Sequence, residues 1–353
     1  MRLDTSDIVA KRGPVWPRRH RPISEYQTGR GGSGPSFASL FELSREAEPF
    51  AFLAQAKEQG IQGALVTICA VDGSAPKPLG TQMAVLEDGR YVGYVSGGCV
   101  EAAIASEVVE TIAARRDAIL RFGRGSRFID IRFPCGGGVE LLIHVRPEAF
   151  LLRDALSCLQ RRQAFTLAFD PASSHASIVT GPVQGGWSEG RYLRPYRPRT
   201  RLLLVGRGSE FEVMARVAEA GEFDLVLASP DTDSLQALSH LRARTHLLTA
   251  PDDPWDLPMD AWTATVLLFH EHEWEDTILA RAATAEGFYV GALGSARSHA
   301  TRRNRLAAMG LDQEQVNRIK GPIGLIGHAR DPSVLALSVL SEVAMARIEL
   351  DRG

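Results

Sequence analysis

The sequence predicts an α/β protein in which an N-terminal α/β domain is followed by a doubly wound parallel sheet. Three observations carry this reading. The 353 residues, 44% hydrophobic and 23% charged, are enough for roughly two domains that each bury a core. Apolar runs of strand length recur at ALVTICAV (64–71), RLLLVG (201–206), FDLVLASPD (223–231), TATVLLFH (263–270) and FYVGALGS (288–295). Beyond residue 200, strand candidates alternate with amphipathic helical patterns, which a parallel sheet with crossover helices requires.

Residues 1–45 are rich in Arg, Pro, Gly and Ser (KRGPVWPRRHRP, TGRGGSGPS) without helical or strand periodicity, which predicts a flexible extension. LSREAEPFAFLAQAKE (43–58) has the spacing of an amphipathic helix, and the buried strand 64–71 follows it. Next come the turn DGSAPKPLG, the strand TQMAVLE, a turn at Asp88-Gly89, the strand YVGYV, the glycine loop SGGC and the helix VEAAIASEVVETIAARR. A second glycine loop, PCGGG, precedes the strand VELLIHVRP. This order predicts a layered domain whose loops gather at one edge. Residues 151–162 read as a helix, FTLAFD and ASIVTG as strands, and GGWSEGRYLRPYRPRT as a hairpin plus linker. The N-terminal domain is thereby expected over 46–198 and the second over 199–353. RLLLVG, the loop and helix GRGSEFEVMARVAEAG, and FDLVLASPD form a β-α-β unit. EWEDTILARAATAEG and HATRRNRLAAMG supply further helices, and the amphipathic last helix, SVLALSVLSEVAMARIEL, is expected to cover the sheet or a second copy of the chain, which makes a homodimer an expectation.

Composition narrows the function classes. Forty Lys and Arg against 42 Asp and Glu leave a net charge of −2, so no basic field favours nucleic acid or an anionic membrane surface. No apolar run approaches the ~18 residues of a membrane span. The N-terminus lacks the apolar core of a signal peptide, and Arg18-Arg19 is not followed by an apolar stretch, so a cytoplasmic location is expected. The cysteines Cys69, Cys99, Cys135 and Cys158 form no CxxC pair, which argues against a zinc site or a disulfide framework.

Five loops hold residues suited to ligand chemistry. Gly206-Arg207-Gly208 follows a strand and opens a helix, as in Rossmann-like domains that bring backbone amides onto a pyrophosphate. Phe211 stands where a third glycine is usual, and Ala228-Ser229-Pro230 precedes Asp231 where a strand-tip acid would meet a ribose. Either an NAD(P) site or a Rossmann-like domain with another ligand fits this pattern. Cys99, in Ser96-Gly97-Gly98-Cys99-Val100-Glu101, sits where a helix dipole lowers a thiol pKa, while Glu101 opposes that shift. Cys135 is followed by Gly136, Gly137 and Gly138. Both thiols are open either to a soft metal such as molybdenum or to burial as small hydrophobes, whereas Cys69 in a strand and Cys158 in a helix read as core. The loop 72–80, with Ser74 and Lys77 between prolines and glycines, is an anion-binding loop or a plain turn. Gly294, Ser295 and Arg297 enter a helix as a second phosphate cradle, and the following His299, Arg302, Arg303 and Arg305 read equally as a solvated face. His270 and His272 share one face of a strand end, without the third partner a metal site needs.

Together, GSAPKPLGTQM, VSGGCVEAAI, PCGGG, FHEH, YVGALGSARSHATRRNRL, GPIGL and ARDPSVLALSVLSEV stand in the order and approximate spacing of the XdhC/CoxI family. Over about residues 46–349 the chain resembles these accessory proteins of molybdenum hydroxylases such as xanthine dehydrogenase. The resemblance implies a cysteine-bearing N-terminal XdhC/CoxI-type domain and a C-terminal Rossmann-like domain. It also implies binding of molybdenum cofactor (Mo-molybdopterin, plain or nucleotide-extended), support of its sulfuration with a cysteine desulfurase, and delivery to an apo molybdenum hydroxylase. Such a protein is an assembly chaperone more than a catalyst. Cys99 and Cys135 would lie at the metal end. Gly97, Gly98, Ser74, Lys77, Gly136 and Gly137 would frame the cofactor, with Gly206, Gly208, Gly294, Ser295 and Arg297 as the second-domain contacts. The rival expectation is an NAD(P)-dependent oxidoreductase with Cys99 as a redox thiol; a third is a scaffold that docks a dehydrogenase without any small ligand.

Overall fold

The computed structural model describes residues 45–352, apart from 75–76, 97, 99, 129–135 and 270–272. The expected extension therefore lies outside the described residues. Helix α1 (Glu48–Glu58) leads into β1 (Gly63–Asp72), the central strand of an antiparallel sheet. Its first seven residues are all buried because both faces of the sheet are covered. Ala64, Val66 and Ile68 face α2 (Glu101–Ala114), while Leu65 and Cys69 face α1 and α3 (Ala149–Gln160). With β2 (Gln82–Leu86), β3 (Tyr91–Gly93), β4 (Ala118–Gly123) and β5 (Gly138–Val145), the order is β3-β2-β1-β5-β4. A second antiparallel sheet is ordered β7-β6-β9-β8, from β6 (Phe165–Asp170), β7 (His175–Thr180), β8 (Gly186–Ser188) and β9 (Arg191–Tyr196). Phe165, Leu167 and Phe169 of β6 complete the core beneath α1 and α3.

The remaining strands are all parallel: β10 (Arg201–Gly206), β11 (Asp224–Ser229), β12 (Ala243–Leu247), β13 (Thr263–Leu268), β14 (Tyr289–Ala292) and β15 (Ile319–Lys320). Their order β12-β11-β10-β13-β14-β15 is 3-2-1-4-5-6 counted along the chain, the doubly wound arrangement of dinucleotide-binding folds. Leu202 and Leu204 pack under α4 (Gly208–Ala220) and α9 (Pro332–Arg352). Leu203 and Val205 pack under α6 (Asp276–Thr284), α7 (Ala296–Ala308) and α8 (Gln313–Arg318). The short α5 (Thr232–Ala237) follows β11. Three strands absent from the sequence reading are β4, β12 and β15. All are edge strands; β4 fully buries only Phe122, β12 buries nothing and β15 is two residues long, so none shows apolar alternation.

Arg162, just after α3, fastens the antiparallel part to the parallel sheet. Its guanidinium donates to Asp260 at 2.6 and 3.1 Å, to Asp224 at 3.1 Å and to the Arg199 carbonyl at 3.0 Å. Arg201 donates to the same Asp224 at 2.8 Å.

Candidate functional site

Strand register decides where the loops of the first sheet lie. Asp72 pairs with Gly138, Gly123 also pairs with Gly138, and Gly93 pairs with Met83. The ends of β1, β3 and β4 and the starts of β2 and β5 therefore share one edge, and the described parts of the loops 73–81, 94–100 and 124–137 gather there. Ser74, Lys77, Gly98, Gly136 and Gly137 are brought to that edge. Gly97, Cys99 and Cys135 lie outside the described residues, in two of the same three loops.

The loops interlock through backbone. A Cβ on Gly137 would stand 1.8 Å from the Ser74 carbonyl oxygen and 3.0 Å from that of Asp72, so no side chain fits. The Gly137 carbonyl accepts from the Arg124 amide at 3.0 Å. Gly137→Ala must push the Ser74 loop away from β5, and we expect a loss of about 2 kcal/mol, of the order seen when a packed site is overfilled. Urea denaturation measures the loss, and hydrogen exchange of residues 73–81 should rise with it; unchanged stability and exchange would show that the loops do not depend on this contact.

Glu101, the first residue of α2, organises the loop 96–100. Its carboxylate is buried and accepts from the Ser96 amide at 2.7 Å, the Ser96 hydroxyl at 2.7 Å and the Val100 amide at 3.2 Å, and from the Gly98 backbone. Burial pushes this carboxyl up, but the Ser96 hydroxyl and amide, with the Gly98 and Glu101 backbone donors, outweigh it and hold the group below the ordinary glutamate range. The sequence reading saw Glu101 only as a charge opposing a Cys99 thiolate. An acid in the first helical turn directly after a glycine loop was the available signal for its second role.

The same edge carries cations that the sequence reading missed. Arg121 of β4 pairs with Asp72 at 2.5 Å and Glu140 at 3.3 Å, and Arg124 also pairs with Asp72. The Arg124 guanidinium, with Arg121 beside it, holds the Asp72 carboxyl below its usual range. Arg124 is exposed and Lys77 half-buried, so the edge presents positive charge as well as glycine backbone. The other cysteines are quiet: the Cys69 thiol donates to the Glu140 carbonyl and is pushed up to about 12 chiefly by burial, and Cys158 is half-buried with its pKa also raised by burial.

The second group of residues lies at the carboxyl edge of the parallel sheet, where the connections from the adjacent β10 and β13 lead away to opposite faces. Gly206 ends β10 and Gly208 opens α4. A Cβ on Gly206 would meet the Leu268 carbonyl oxygen at 2.6 Å, so glycine is needed where β10 and β13 run closest. Phe211, which stands where a third glycine is usual, does not obstruct the helix. It is fully buried in the core of Leu202, Leu204, Met214 and Leu227, taking up the space between helix and sheet. Asp231 caps α5, accepting from the Asp233 amide at 3.1 Å and the Ser234 hydroxyl at 2.7 Å, and the Ser234 hydroxyl oxygen accepts from the Gly208 amide at 3.3 Å.

Gly294 and Ser295 follow β14, and the Ser295 hydroxyl caps α7 by accepting from the Ser298 amide at 3.1 Å. Arg297 is exposed beside it. Arg302 is no part of a solvated face: it is fully buried, donates to the Leu293 carbonyl at 2.6 Å and pairs with buried Glu275 at 3.0 Å. Arg305 pairs with Asp276 at 2.8 Å, and half-buried Arg303 donates to Asn317. A buried ion pair thus supports the β14–α7 loop from below. His270 and His272 fall outside the described residues.

A loop-bearing antiparallel sheet joined to a Rossmann-like parallel sheet defines a protein whose candidate ligand contacts are two glycine-rich sheet edges. Among the described residues no cluster of three His, Cys, Asp or Glu is placed to hold a metal, and no helix is long and apolar enough to cross a membrane. The chain belongs to the XdhC and CoxI family, whose model matches residues 56–123, and a model of the XdhC Rossmann domain matches residues 202–343. It is 36% identical over 297 residues to the molybdenum cofactor insertion chaperone PaoD of Escherichia coli K12, covering 84% of this chain and 87% of that one. A probable xanthine dehydrogenase subunit of Bacillus subtilis 168 is 24% identical over 81% of this chain and 93% of its own length. The fold matches a crystal structure of a xanthine dehydrogenase from Bacillus halodurans with a TM-score of 0.66 at 18% identity, over 85% of this chain and 96% of that one.

Proposed function

We propose that the protein is an insertion chaperone that binds molybdenum cofactor and delivers it to an apo molybdenum hydroxylase such as xanthine dehydrogenase. The observation that carries this reading is the convergence of the loops 73–81, 94–100 and 124–137 on one sheet edge. Together with the PaoD likeness, it supports a cradle for a cargo that combines a phosphate, a flat polar pterin and a soft metal. Lys77 and Arg124 suit the phosphate, the close backbone of Gly98, Gly136 and Gly137 suits the pterin face, and Cys99 and Cys135 suit the molybdenum. Glu101 holds the loop that contains Cys99. In the nucleotide-extended form of the cargo, the second edge (Gly206, Gly208, Gly294, Ser295, Arg297) takes the added nucleotide. Sulfuration of the bound cofactor with a cysteine desulfurase, in the cytoplasm, completes the reading.

Transfer tests it. Cofactor-loaded protein mixed anaerobically with a cofactor-free molybdenum hydroxylase is expected to restore oxidation of the hydroxylase's substrate faster than free cofactor does, and addition of a desulfurase with cysteine should raise the yield. Equal rates with and without the protein would refute delivery. The 3-2-1-4-5-6 strand order with Gly206 at the switch point favours one rival, an NAD(P)-dependent oxidoreductase. Saturable micromolar binding of NAD(H) or NADP(H), with no effect on transfer, would decide for it.

A further inference from the structure

We infer that the outer face of α9 is a two-fold interface between two copies of this chain. The inner face of this helix is occupied: Leu335, Ala336, Val339, Leu340 and Val343 are buried in the core that α4 shares. The outer face carries a second apolar stripe with no cover among the described residues. Val334 is 38% exposed, Leu337 57%, Met345 50% and Ile348 51%, with small exposed Ser341 and Ala344 between them. Leu325 and Ile326, half exposed, extend the stripe sideways, held against the helix because the Ile326 amide donates to the Ser338 hydroxyl at 2.7 Å.

The order of the side chains points to a second copy and not to an unrelated partner. From Val334 to Leu337, Ser341, Met345 and Ile348 the steps are 3, 4, 4 and 3, the same from either end. A stripe of this spacing suits helix-on-helix packing. When two such helices cross antiparallel at Ser341, Leu337 meets the partner's Met345 and Val334 meets the partner's Ile348, twice over. The small Ser341 lies on the axis, where the backbones come closest. A self-matching arrangement is what a two-fold contact demands of one sequence, whereas a foreign surface places no such condition on it. Six exposed apolar side chains, Val334, Leu337, Met345, Ile348, Leu325 and Ile326, make up the patch on each copy, and antiparallel pairing covers it twice over, as a small specific interface requires. Left bare, it would rank with the larger apolar patches of monomeric proteins.

The test is an exchange of charge across the proposed axis. Sedimentation of the full chain at micromolar concentration should give a species of twice 38.4 kDa. Leu337→Lys alone and Met345→Glu alone should each sediment as monomers with unchanged circular dichroism, because both positions are half exposed in the single copy. Mixed one to one, they should recover a dimer, since position 337 of one chain then faces position 345 of the other with opposite charge while the second crossing keeps the native Leu and Met. A monomeric parent chain, single variants that stay dimeric, or a mixture that stays monomeric would each overturn the proposal; the first would leave this face to a different protein.

Discussion

Glu101→Ala is expected to destabilise the protein by about 3 kcal/mol, because it strips several buried donors of one acceptor and leaves them without water. The Ser96 amide and hydroxyl and the Val100 amide all lose their carboxylate partner at once. Glu101→Gln retains one acceptor oxygen and should fall between the two. The carboxylate also confers a pH dependence of defined sign. Its folded pKa lies below the ordinary ~4.3, so its contribution is complete above that value and fades as the pH falls through the folded one. In the Gln variant this dependence disappears. Urea midpoints at neutral and acid pH measure both effects, and equal midpoints for all three proteins would remove Glu101 from its role. Cys99, two residues earlier in the sequence, should also alkylate faster at fixed pH in the Ala variant, because a nearby negative charge that disfavours a thiolate is removed. A merely structural acid elsewhere in the domain would not change that rate.

Arg302→Met is expected to cost about 3–5 kcal/mol, and Glu275→Gln a comparable amount, because each leaves a fully buried charge without its main partner. The Leu293 carbonyl loses its donor as well in the Arg302 variant. The double change Glu275→Leu with Arg302→Met should recover most of the loss, since replacing the pair by apolar groups of similar size leaves no buried charge unpaired, and the Leu293 carbonyl alone stays without its donor. A double-mutant cycle in urea reads this coupling directly. Additive losses would mean that the two side chains do not act as a pair and that the β14–α7 loop is supported some other way.

Neither role was read from the sequence, although an acid in the first helical turn marked Glu101. The strands β10, β11 and β13 were legible because helices cover both faces, so RLLLVG, FDLVLAS and TATVLL read as unbroken apolar runs. The edge strands β4 and β12 lack that cover and mix exposed Arg, Thr and Ile with little that is buried, so no periodicity marked them. Arg121 and Arg124 went unnoticed for the same reason, since their place at the loop edge follows from β4. Arg302 was read with its cationic neighbours because burial of one arginine depends on Glu275, 27 residues earlier in the chain, a pairing no local pattern encodes. The meeting of the three N-terminal loops was legible from the alternation of strands and glycine loops. The need for glycine at 137 became visible only with strand register.

The most direct measurement is anaerobic titration of the purified protein with molybdenum cofactor, followed by gel filtration and assay of retained pterin and molybdenum. We predict stoichiometric retention by the parent chain, with a marked loss in Cys99→Ala, Cys135→Ala and Gly137→Ala, and no comparable retention of NAD(H) or NADP(H). Failure of the parent chain to retain the cofactor, or full retention by all three variants, would contradict a cradle at the loop edge of the antiparallel sheet.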